Sequence, residues 1–104
     1  MRSLHMTGRE VLEAVAIYRR YFRDNNIGKI DFPHDELNDS GVSEFARLAT
    51  LEHCHGMLDQ MERMVAENTP GKMEKVFRWV GFIQGCLWSQ GIYCLDELKQ
   101  HNRS

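Results

Sequence analysis

Hydrophobic positions recur at helical spacing over three long stretches, each flanked by residues that start or stop helices. From Thr7 to about Arg23, Val11, Val15, Tyr18 and Phe22 fall on one face, and Leu12 and Tyr21 widen it. Thr7 and Glu10 have the spacing of a capping box. A second helix is predicted from Val42 to about Glu67, with Asp39 or Ser40 as its N-cap. Its seam is Leu51, Cys54, Leu58, Met61 and Val65, extended backwards by Phe45 and Leu48. The third, capped by Thr69 with Pro70 at its first position, runs to about Ser89 with Val76, Val80, Ile83 and Leu87 as one stripe and Phe77, Gly81, Gln84 and Trp88 as its neighbour. Gly91 is placed to end it. Leu95 to about His101 then forms a short fourth helix that Leu95 and Leu98 dock on the third.

The third helix departs from the usual amphipathic form. Between Val76 and Trp88 the only polar side chains are Arg78 and Gln84, so apolar residues go nearly all the way round. Such a helix is central in a bundle or lies in an interface. Trp79, Phe82 and Trp88 point to different sides, with Phe77 and Tyr93 nearby. One helix pair cannot bury them all, and an exposed apolar patch of that size marks a partner surface. A homodimer follows as the expectation. Arg78 and Gln84 need partners if buried, either in an internal pair with Glu44, Glu52 or Asp59 or around a polar pocket or subunit interface. Gly56 costs helix stability, which close approach of another backbone would explain. The groove left by Gly81 and Gly85 is the expected neighbour.

These elements define an all-α fold: an antiparallel hairpin of the second and third helices, the first packed across it and the fourth as a flap. The chain of 104 residues is expected to form a single helical domain, 1–104, with residues 1–6 frayed. Asp24 to Ser40 breaks the helical period at Asn25, Asn26, Gly28 and Pro33. A short extended piece near Lys29 to Phe32 and one turn near His34 to Leu37 fit there.

Composition limits the functions. A net charge of -2 gives no bulk positive field for nucleic acid or membrane. No apolar run is long enough to span a bilayer. No signal-peptide pattern opens the chain, and three cysteines fit reduced thiols, so a cytoplasmic setting is expected. Arg19, Arg20 and Arg23 load the end of the first helix. They complement its dipole, or they form a phosphate-binding patch for a nucleotide or nucleic acid, the alternative function.

Candidate chemistry is thin. His53, Cys54 and His55 are metal-ligand types, but adjacent helical residues diverge by about 100°, and the i, i+4 pairing of a helical zinc site is missing. Arg23 to His34 resembles a calcium loop around Gly28. However, Arg23, Ile27 and His34 fall on ligand positions that need oxygen donors. His34, Asp35 and Glu36 could support acid–base work, yet a short acidic loop is ordinarily solvated. No nucleophile elbow, P-loop or dinucleotide fingerprint occurs. No catalytic residue, metal site or cofactor is therefore assigned, and a metal-dependent enzyme or sensor is the weakest alternative.

The segment Glu74-Lys75-Val76-Phe77-Arg78-Trp79-Val80-Gly81-Phe82-Ile83-Gln84-Gly85-Cys86-Leu87-Trp88, continuing through Gly91-Ile92 to Leu95-Asp96-Glu97-Leu98 and Asn102, resembles a C-terminal pattern of small phage and prophage accessory proteins. The pattern carries Thr where this chain has Cys94, a weaker helix cap. The resemblance implies a helical hairpin from a phage-related gene and supplies no catalytic residue. The expected function is a non-enzymatic interaction module, dimeric, that binds and modulates a host protein in the host cytoplasm through the aromatic surface of the third helix.

Overall fold

The computed structural model describes residues 6–30 and 44–103. Expectations placed on 1–5 and 31–43, including the caps Asp39 and Ser40 and the acidic loop, lie outside the described residues, as does the side chain of Phe45. The fold is all-α: α1 (Gly8–Asp24), α2 (Glu44–Glu67), α3 (Pro70–Ser89) and α4 (Leu95–His101). Among the described residues there is no strand.

The helix ends follow local chemistry. Thr7 and Glu10 form the reciprocal capping box of α1. Thr69 accepts the Lys72 N–H at the start of α3, ahead of Pro70. Gly91 lies in the left-handed region at φ 73°. Its N–H reaches the Trp88 carbonyl, and the Ile92 N–H reaches that of Leu87, the two bonds of a Schellman ending. Asn26, at φ 58°, ends α1 in the same way, with Asn26 N–H to Arg23 and Ile27 N–H to Phe22. At α4 the Cys94 N–H donates to Glu97 Oε1 at 2.8 Å, so the acidic side of a capping box is present.

Val11, Val15, Tyr18 and Phe22 are buried together with Ala14, as are Val76, Val80, Ile83 and Leu87. The α2 seam holds at Leu51, Cys54, Leu58 and Met61. Met57, Met64, Ala46, Ala49 and His55 are also buried, because α2 packs against both α1 and α3. Met6, expected in the frayed end, packs against this core.

Three expectations change. The central helix is α2, not the more apolar α3, which keeps one face open. Leu48 was expected in the α2 seam but is exposed. The α4 flap leans on α1, with Leu98 buried and Leu95 outside, rather than docking on α3 through both leucines.

Gly56 does meet a backbone, but not the one expected. A Cβ there would overlap the carbonyl oxygen of Ile30, while Gly81 and Gly85 have nothing within 4 Å. The segment after α1 lies across α2. Ile30 N–H bonds the Glu52 carbonyl at 3.1 Å, and His55 Nδ1 donates to the Ile27 and Gly28 carbonyls at 2.9 and 3.2 Å. Gly56 is needed because this non-helical strap crosses at contact distance.

Candidate interaction surface on α3 and α4

Large apolar side chains stay exposed on α3 and at the start of α4. Phe82 is 50% exposed, Trp88 53% and Leu95 57%. On α3, Arg78, Gly81, Gly85 and Trp88 follow one another at spacings of three and four residues, one stripe along the helix. The two glycines leave the backbone bare. Beside Gly85 lies a cleft of about 260 Å³, lined by Gln84, Gly85, Trp88, Leu95, Leu98, Lys99 and Asn102. A larger cleft of about 660 Å³ between the start of α2 and the end of α3 has no aromatic side chain in its lining among the described residues. Its charged lining is a surface ion pair, Glu44 with Arg47 at 3.8 Å.

The floor of the α3–α4 cleft is held by a polar network. Gln84 Nε2 donates to Tyr18 Oη at 2.9 Å and to Asn102 Oδ1 at 2.6 Å, and Asn102 Nδ2 donates back to Gln84 Oε1 at 3.2 Å. Because Tyr18 Oη accepts from Gln84, its own proton goes to His101 Nδ1, 2.9 Å away. This fixes His101 as a neutral ring with its proton on Nε2. Tyr93 meets His101 edge-on at 4.7 Å and flanks Tyr18 and Tyr21 at 5.8 and 5.9 Å. Burial lowers the His101 pKa and raises those of Tyr18 and Tyr93. The network thus ties α1, α3 and α4 together beneath the exposed face.

The side chains singled out from the sequence divide sharply. Gln84 bonds Tyr18 and Asn102 rather than a carboxylate of α2. Arg78 is not buried: it lies 64% exposed and pairs with Glu74 one turn back at 3.0 Å, because the apolar girdle around it is itself partly at the surface. Trp88 forms the open face at the cleft, and Phe82 is half exposed on the side of α3 towards α2. Phe77, Trp79 and Tyr93 are partly buried against the core, Trp79 with Lys75 over its ring at 5.1 Å, so they do not belong to that face. Leu95 does, and periodicity hid it because leucine at the start of a helix reads as a docking residue. Tyr18, His101 and Asn102 were also missed as a set. Their one signal was polar or amphipathic side chains at the ends of apolar stripes.

Arg19 is engaged elsewhere. Its guanidinium, 16% exposed, bonds Asp59 at 2.7 Å and Glu62 at 2.8 Å, and Lys29 joins Asp59 at 3.0 Å. A phosphate patch would have to form from Arg20 and Arg23 without it. Residues 53–55 diverge as helical geometry requires: His53 meets Phe82 edge-on, Cys54 faces Cys86, and His55 turns to the strap. Among the described residues no group of three or more His, Cys, Asp or Glu side chains is placed to share a metal ion, and no helix is long and apolar enough to cross a membrane. No protein-family model, curated protein or solved structure matches this chain.

Proposed function

We propose that this chain is a non-enzymatic protein-interaction module, of the phage accessory kind its C-terminal pattern resembles, that binds protein partners with the α3–α4 face. The observation that carries this reading is that Trp88 and Leu95, each at least half exposed, line a cleft whose floor is held by hydrogen bonds, with Phe82 also half exposed on the side of α3 towards α2. Covering three such side chains is favourable by roughly 25 cal/mol per Å² of apolar area. The bare backbone at Gly81 and Gly85 lets an incoming helix approach closely.

A second copy of the chain presents the same apolar side chains and is the first occupant proposed, giving a two-fold homodimer. A host protein is the occupant that gives the module its effect in the host cytoplasm, by competing for the same face. Light scattering over a dilution series tests the first step. The wild type is expected to pass from dimer to monomer on dilution, and Trp88→Ala to shift the midpoint at least about tenfold towards higher concentration. Leu12→Ala, an exposed apolar residue on α1, is expected to leave it unchanged. A dimer equally insensitive to Trp88→Ala and Leu12→Ala would overturn this placement of the interface.

A further inference from the structure

We propose that Cys54 and Cys86 are a redox pair that closes an intramolecular disulfide between α2 and α3 when a small-molecule disulfide presents itself. The inference is independent of what covers the α3–α4 face.

The register of the hairpin brings the two thiols together. The contact of His53 with Phe82 lies towards the turn, and the bond from Gln90 Nε2 to the Arg47 carbonyl at 3.3 Å lies towards the open end. Cys54 is the next residue after His53, and Cys86 lies one turn beyond Phe82, between it and Gln90, so the two side chains face each other across the hairpin within hydrogen-bonding reach. Neither is needed for a cap or an ion pair. Their access to solvent differs: Cys54 is fully buried, whereas Cys86 is partly open and Cys94 is exposed. Cys86, the thiol of the pair that solvent reaches, is the attacking one.

The chemistry balances in two exchanges. The Cys86 thiolate attacks one sulfur of the disulfide, forms a mixed disulfide and expels one thiolate. Cys54 then attacks Cys86 Sγ, breaks that mixed bond and expels the second thiolate, which takes up the Cys54 proton. Two protein thiols lose two electrons in all, and the reagent is reduced to two thiols. The product staples the hairpin across its middle.

The test is thiol mapping after native treatment with glutathione disulfide. Cys94→Ser is the starting protein, since serine caps α4 at least as well and removes the exposed thiol. The expected product is a monomer lighter by two hydrogens, without a retained glutathionyl group, whose linked peptides contain Cys54 and Cys86. In Cys54→Ala, oxidation is expected to stop at a stable glutathionyl adduct on Cys86. In Cys86→Ala, modification of Cys54 is expected to slow at least about tenfold. Thiols that stay free under native conditions, a stable adduct on Cys86 while Cys54 is present, or only intermolecular links would each overturn the proposal. The first result needs no substitution at either cysteine of the pair, so a folding defect in a variant cannot mask it.

Discussion

Adding one methyl group has opposite consequences at Gly56 and at Gly81 or Gly85. At Gly56 it would drive into the Ile30 carbonyl, a backbone atom that moves only if the strap moves. Gly56→Ala is therefore expected to destabilise the fold by about 1–3 kcal/mol despite alanine's better helix propensity. Gly81→Ala and Gly85→Ala meet open space and are expected to stabilise the monomer by up to about 1 kcal/mol each. Denaturant unfolding of the three variants, below the concentration at which any dimer forms, checks the contrast. From sequence the three glycines looked like one feature, because each interrupts a helix. What separates them is which backbone crosses at that point, and that is decided by His55 and Glu52 holding the strap.

Arg19 is the other residue whose role depended on distant neighbours. Three arginines in one turn read equally as a patch, yet only Arg19 points between Asp59 and Glu62. Lys29 above all lowers the Asp59 pKa, and Arg19 that of Glu62. Lowered carboxylate values mean stability that is intact above about pH 4, the unfolded value, and lost as pH falls through the folded values. Both carboxylates are well exposed, so solvent screening keeps the effect small. Arg19→Met is expected to cost about 1 kcal/mol at neutral pH, and to flatten the acid limb of the stability curve. An unchanged acid limb in that variant would count against the pairing.

At the scale of elements, α4 is the part held least by apolar packing. Leu98 is its one buried residue, and its remaining attachments are His101 on Tyr18 and Asn102 on Gln84. The groups around the His101 ring are Tyr18 on α1, Tyr93 before α4 and Glu97 one turn back. Protonating His101 would put a donor at Nδ1 against the Tyr18 proton. Burial lowers the folded pKa of His101 below its unfolded value near 6.5. Its contribution is therefore intact above about pH 6.5 and is lost as pH falls through the folded value. Amide exchange in α4, corrected for intrinsic rates, is expected to gain protection between pH 5 and pH 7. His101→Gln keeps an acceptor for Tyr18 and is expected to lose that pH dependence. The same step in both proteins would exclude His101 as its source.

The boundaries of these elements were legible in the sequence because capping is local: Thr7 with Glu10, Thr69 with Pro70, and Gly91 each act within a few residues. The stripes that pair the helices were legible too, since α1 and α3 each bury one face. Which helix lies in the middle was not. α3 is the more apolar, but α2, with His55, Gly56 and three methionines on its inner sides, is the one that packs most extensively against both α1 and α3. Apolar content measures how much surface a helix needs covered, and the described residues leave part of α3 uncovered.

That missing cover frames the whole molecule. The core from Val11 to Leu98 joins all four helices, while Phe82, Trp88 and Leu95 stand outside it. The polar network beneath them keeps the cleft walls in register without filling the cleft. Under the proposed function, such a fixed apolar surface would leave specificity to the shape of the partner.

The most direct test of that surface is the fluorescence of Trp88 in a Trp79→Phe variant, followed as protein concentration rises through the range in which scattering mass increases. Trp88 half exposed in the monomer and covered in the assembly predicts a blue shift of its emission and a fall in iodide quenching, both tracking the increase in mass. Assembly with Trp88 emission and quenching unchanged would contradict the assignment of the α3–α4 face as the interface.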